Sequence, residues 1–215
     1  MRTAVLPVLI LCAAIVSAGC FMLDERKVPP AVTTVQVAPE QTVDTGMSTI
    51  DPSDMALQLT DLPAGYIIRE RADIAFLDIS PFSQEQGWKK GYLASFYRMN
   101  AEKYDITAIS QRIGIYNVAN EHLLDRTMGP VFESAEADLL ETANASVSIT
   151  ELPFPKTGER TAAYRIIDAN DQYGVVKYVV IFTSRDVIES IEMRGTTTDY
   201  EILKDIAAKA EGKIR

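Results

Sequence analysis

Apolar and polar positions alternate at period 2 over several stretches of this chain, and that alternation predicts most of its elements. VVKYVVIF (175–182) is apolar on both faces. Such a run belongs at the centre of a sheet that is covered on both sides. Turn signals bound it, and Asp168-Ala169-Asn170-Asp171 upstream has a hairpin composition. Strands are predicted over 145–152, 160–168, 173–184 and 187–194. Earlier in the chain, WKKGYLASFYRM (88–99) and DITAISQRIGIYN (105–117) read as strands. In the second of these Ile109, Ile113 and Ile115 share a face with Gln111, so its alternation is imperfect. LTDLPAGY (59–66) carries a turn signal that leads into a short strand beginning Tyr66-Ile67-Ile68. Residues 72–87 are irregular, with one helical turn near Ser83–Gln86.

Two stretches follow a helical period instead. Asn117 is placed to cap a helix running from Val118 towards Met128, which Gly129-Pro130 interrupts. A second piece from Val131 to about Thr142 puts Phe132, Ala135 and Leu139 on one stripe. Glu133, Glu136, Asp138 and Glu141 form its wet side. The last helix has Thr198 as cap and Glu201 completing a capping box. Tyr200, Leu203, Ile206, Ala207 and Ala210 line one face, and Gly212 stops it. Hairpin-length connections and this element order predict an α+β fold: an antiparallel sheet of about six strands with two main helices packed on it. That domain is expected over 57–215, without internal repeats.

The first 23 residues obey neither period. Arg2 is their only charge, Ala4 to Val16 form an apolar core, and Ser17-Ala18-Gly19 precedes Cys20. This is the layout of a secretory signal with a small-residue cleavage site, assigned to residues 1–19. Two other fates fit the same residues. Cleavage after Ala18 would release the protein. An uncleaved stretch from Thr3 to Leu23 holds 21 uncharged residues, enough to span a bilayer as a single helix. After it, residues 20–56 contain four prolines and many Thr and Gln, with no sustained period. They read as a flexible, semi-extended tether.

The stretch ending at Cys20 resembles the lipobox of prokaryotic membrane lipoproteins, in which small residues precede a lipid-bearing cysteine. Ser17 stands where that pattern usually has an aliphatic residue. The resemblance implies lipidation at Cys20, a diacylglyceryl anchor of two chains, and a domain held on the extracytoplasmic side of the cell membrane. Two chains suffice for stable anchoring where one does not. Residues 57–213, with LTDLPAGY leading into the first strand, are similar to prokaryotic surface lipoprotein domains and to the curved sheet of PsbP-like domains. That second resemblance implies a non-enzymatic binding or assembly module in the cell envelope.

Charge and cysteine content sharpen this picture. The net charge is −9, and loss of Arg2 with the signal makes the remainder slightly more negative. An acidic surface excludes nucleic acid as an expected partner. The partners expected are the membrane, through the N-terminal lipid or helix, and an envelope protein, a glycan or a small ligand. The two cysteines are Cys12 and Cys20, so the domain has no thiol for disulfides, thiolate metal sites or nucleophilic catalysis.

Candidate chemistry is sparse. His122 is the single histidine, with Glu121 beside it and Asp125 three positions on. One histidine without cysteine does not make the usual zinc set, and no GxSxG-type turn is present. An extracytoplasmic hydrolase would have to use His122 as its base. Asp168 to Gln172 misses the calcium-loop pattern, because the glycine comes at 174 and Val179 replaces the closing glutamate. No Walker or dinucleotide fingerprint occurs and no cofactor is expected. Asn144-Ala145-Ser146 is a glycosylation sequon. Trp88, Tyr92, Phe96 and Tyr97 crowd one strand, either as core or as an exposed binding platform.

Overall fold

The structure is a computed structural model that describes residues 48–100 and 105–214. The expected signal, Cys20 and the first part of the tether lie outside the described residues. Alternation builds seven strands: β1 (Ile67–Asp73), β2 (Trp88–Asn100), β3 (Asp105–Tyr116), β4 (Val147–Glu151), β5 (Arg160–Asp168), β6 (Val176–Ser184) and β7 (Val187–Gly195). The helices are α1 (Pro52–Met55), α2 (Pro81–Glu85), α3 (Leu124–Leu140) and α4 (Tyr200–Glu211). The strands form one sheet in the order β1-β2-β3-β7-β6-β5-β4, and every neighbouring pair is antiparallel. The α+β class is as expected, with seven strands rather than about six.

Two meanders, β1–β3 and β4–β7, meet along a single seam. There β3 pairs with β7 from Thr107↔Gly195 to Ile115↔Val187. Strand β6 shows how the two faces divide. Val180 and Phe182 point to the first face, where α4 lays down Leu203, Ile206, Ala207 and Ala210. Val179 and Ile181 point to the second face, where α3 packs Phe132, Ala135 and Leu139. The α3 stripe is the one its helical period predicts.

Helix α3 is continuous through Gly129-Pro130, contrary to the expected interruption. Met128, Val131 and Phe132 are buried on both sides of Pro130 and hold the helix together there, and Arg160 bridges the same turns. Its guanidinium pairs with Asp125 at 2.8 Å and Glu133 at 3.3 Å, clamping the helix on both sides of the proline. It also lies 3.0 Å from where a Cβ on Gly129 would sit, so the glycine leaves room for the clamp. The expected caps also move. Asp199, not Thr198, caps α4, accepting from the Glu201 and Ile202 amides at 2.9 and 3.3 Å. Asn117 does not cap α3, because Val118 is pulled into the core beside Trp88 and Tyr116. That keeps the chain extended until the short turn at Glu121–Leu123.

The tether ends earlier than residue 56. Met55, Ala56 and Leu57 are each 0% exposed and belong to the first-face core. Asp51 caps α1, accepting from the Ser53 amide at 3.1 Å. The Lys90 ammonium, 2.8 Å away, binds Asp51 to β2 and holds its carboxyl down to about 2. The Ser48 amide donates to both carboxylate oxygens of buried Asp186, at 3.0 and 3.2 Å. The Leu57 amide donates to Gln111 Oε1 at 2.7 Å, and Gln111 Nε2 donates to Glu189 Oε1 at 2.6 Å. Residues 48–62 are therefore a strap across the first face.

This clasp accounts for the imperfect alternation of β3. Gln111 is fully buried so that it can satisfy both a strap amide and Glu189. Glu189 is itself 0% exposed, and its Oε2 has no partner among the described residues. Burial pushes its carboxyl from 4.5 up to about 8; the Gln111 hydrogen bond pulls the other way, Glu211 adds to the rise and Lys213 opposes it. Glu189 is thus a neutral acid at pH 7, the form whose burial costs least.

Two predictions follow from this packing. The native chain keeps a proton on Glu189 that the unfolded chain releases. Stability should therefore fall as pH rises from about 4.5 to about 8 and level off above, by up to about 1.4 kcal/mol per pH unit. Glu189→Gln mimics the protonated acid and should flatten that slope in denaturant titrations at pH 5 and pH 8. Parallel slopes for the two proteins would exclude Glu189 as the cause. Separately, a chain beginning at Leu57 loses the Met55 side chain and the cover over Gln111. It should unfold with roughly 2–5 kcal/mol less stability than one beginning at Val43. Equal stability of the two chains would show that the strap is dispensable.

Candidate functional site

Helix α3 covers only part of the second face. Strand register shows what it leaves open. One row runs Leu93, Arg112, Ser190 and Ile181 across β2, β3, β7 and β6. The next runs Glu70, Ser95, Ser110, Glu192 and Val179, starting from β1. A third runs Tyr97, Ala108, Arg194 and Lys177. The first two rows end under α3, at Ile181 and Val179. Helix α3 reaches no further than β7, and the β1–β2 connection with α2 covers only the Trp88 end, so the small side chains between them leave a groove.

Three cavities occupy this groove, and successive second-face positions of β3 lead from one to the next. At one end Ile106, Ala108, Arg69 and Arg194 line a space of about 480 Å³. In the middle Ser95, Ser110, Glu70 and Glu192 line about 290 Å³. At the other end Arg112, Gly114, Trp88 and the α3 residues Ala135 and Asp138 line about 330 Å³. Arg69 reaches this face through a β-bulge: Ile68 pairs with Phe96 and Glu70 with Ser95, leaving Arg69 as the extra residue.

The groove's charges are unevenly satisfied. Lys177 pairs with Glu192 at 3.3 Å. Arg69, Arg112 and Arg194 make no ion pair or side-chain hydrogen bond among the described residues. Sequence reasoning missed this set. The available signal was the second face of β3, Ile106-Ala108-Ser110-Arg112-Gly114, which is too small and polar for a core.

The residues singled out from sequence lie elsewhere or divide between faces. Phe96 is 0% exposed, and Tyr92 packs against the same first-face core. Tyr97, one position on, is half-buried on the second face. Trp88 is 9% exposed, at a second bulge, among Tyr116, Val118, Met128 and Val131. The four rings therefore do not make one exposed platform; period 2 separates them. His122 is exposed in the turn before α3, with no side-chain partner among the described residues. Glu136 accepts a hydrogen bond from the Tyr164 hydroxyl, and Glu133 serves the Arg160 clamp. Asn144 is exposed, and its Oδ1 accepts from the Ser146 amide and hydroxyl at 2.8 and 2.9 Å, closing a turn into β4. Asp168 and Asp171 accept from the amides of Asn170 and Tyr173 at 2.9 and 2.7 Å, the turn expected between β5 and β6. Among the described residues, no three His, Cys, Asp or Glu side chains gather as metal ligands do.

In fold, the chain is similar to the extracellular domain of PknH from Mycobacterium tuberculosis. The TM-score is 0.55 at 8% identity, and the match covers 77% of this chain and 96% of that domain. At that identity the likeness is one of fold. No family model and no curated protein matches the chain.

The burial of Phe96 gives a direct test of core against platform. Phe96→Ala should cost roughly 3–5 kcal/mol of unfolding free energy in denaturant titration, as for other buried aromatics. A loss below about 1 kcal/mol would contradict its place in the core.

Proposed function

We propose that this protein is a non-enzymatic extracytoplasmic binding module, held on the cell membrane by a lipid on Cys20, which takes its ligand on the open second face of the sheet. The observation that carries the binding role is the groove itself: a sheet face with three cavities and three arginines that no carboxylate of the described residues satisfies. A sheet face left half-uncovered beside a packed helix is a concave site with room for a ligand. The address rests on the N-terminal stretch, with its apolar core, small-residue site and Cys20. Likeness to a domain that works outside the cytoplasm supports the same address. The hydrolase reading has less support, since His122 is exposed and no acid of the described residues pairs with its ring.

Intact mass of the protein recovered from membranes tests the anchor. The expected mature chain begins at Cys20 and carries a lipid-sized addition, which Cys20→Ser abolishes. A mass that begins at Met1 would replace the lipid with a membrane-spanning helix. An unmodified chain cut after Ala18 would make the protein secreted.

A further inference from the structure

The cavity at the Ile106 end of the groove differs from its neighbours in chemistry. The two cavities share Arg69 and Arg194; the middle one has Glu70 and Glu192 among its walls, whereas no carboxylate of the described residues lines this one. Its cations are Arg69 and Arg194, both exposed and unpaired among the described residues. Ile106 and Ala108 of β3 lie between them, and Tyr173 and Val175 line the far side, beyond Arg194, just before β6. Ile106 is 51% exposed and Tyr173 73%, so both rims hold apolar surface that a ligand would cover. The volume, about 480 Å³, is that of a small-molecule site.

We infer that this cavity binds one monomeric anionic amphiphile, its carboxylate or phosphate held between Arg69 and Arg194 and its apolar part laid against Ile106, Ala108, Tyr173 and Val175. The inference rests on the groove being the binding face, and it names the ligand's chemical class. Charge complementarity selects the head. Two guanidinium groups present forked donors that fit a carboxylate or phosphate, and they stand in a chain whose net charge is −9. Their positions are also built in. Arg194 is fixed by the β3–β7 register beside Ala108, and Arg69 is turned into the cavity by the β1 bulge. The apolar walls select the tail, since a bare anion would leave Ile106 and Tyr173 as exposed as before.

The test uses the full chain and follows its backbone amide resonances around 106–112 and 190–196. The probes are dodecanoate below its micelle concentration, dodecanol, inorganic phosphate and anionic phospholipid vesicles. Dodecanoate should shift these amides with single-site saturation. Dodecanol should bind at least tenfold more weakly. The double variant Arg69→Gln, Arg194→Gln should lose at least tenfold in dodecanoate affinity at unchanged melting temperature. Tyr173→Ala should weaken dodecanoate without altering its salt dependence. Equal binding of dodecanol, or unaltered affinity in the double variant, overturns the inference. So does binding to vesicles alone, which would make the face a membrane contact. If phosphate moves these amides and dodecanoate does not, the amphiphile falls while the groove remains a binding face. If no probe moves them, both fall.

Discussion

The pairing of β3 with β7 is the constraint on which the rest of this structure depends. Each meander is local and assembles from near neighbours in sequence. The seam joins residues as distant as Thr107 and Gly195 and turns two small sheets into one. It also decides what faces what. On the first face it brings Gln111 within hydrogen-bond reach of Glu189, which gives the strap something to bind. On the second it places Arg194 beside Ala108 and Glu192 beside Ser110, which makes the floor of the groove.

Dimensions explain why one face is closed and the other half open. Seven strands at about 4.8 Å spacing make a sheet roughly 29 Å wide. A helix with its side chains covers only about 10 Å of that width. One helix per face is therefore too little. On the first face α4 is joined by the strap, whose Met55, Ala56 and Leu57 fill the remainder. On the second face α3 must run from the central β3 to β4 at the far edge, and it packs over β6 and β7. Among the described residues only the β1–β2 connection follows it across β1–β3, and through Ile74, Ile79 and α2 it covers just the Trp88 end of β2 and β3. The groove is thus a consequence of topology, and its small residues, Ser95, Ala108, Ser110 and Ser190, are compatible with water or with a ligand.

What was legible in the sequence is what local periodicity encodes. The span of β5, the two-sided apolar run of β6 and the stripe Phe132, Ala135, Leu139 could all be read directly, because period alone assigns them. The strap could not. Met55-Ala56-Leu57 is too short to show a period, and its burial comes from contacts with β3 some 54 positions away. Continuity of α3 was hidden for a similar reason. Gly129-Pro130 reads as a break unless the burial of Met128, Val131 and Phe132 against the sheet, and the bridge from Arg160 on β5, are known. The aromatic strand misled because four rings close in sequence were read together, whereas the pleat and a bulge send them to different places. The groove left only a negative trace, a strand face too polar to be core.

One irregularity of β3, Gln111 on its isoleucine face, ties the strap to the seam. Gln111 interrupts an isoleucine face because the clasp needs an amide there that both donates and accepts. An apolar residue would seal the core but leave the Leu57 amide and Glu189 unpaired, which is the costlier arrangement. The clasp and Ser48 on Asp186 bring the N-terminal segment in over the first face, near the start of β7. The arginine cavity lies on the second face at the other end of that strand, by Arg194 and Gly195. Eight steps of a strand separate Val187 from Gly195, roughly 27 Å. The point where the chain is tied down and the point where a ligand would sit therefore occupy opposite faces and opposite ends of the same seam, so the strap does not cover the cavity.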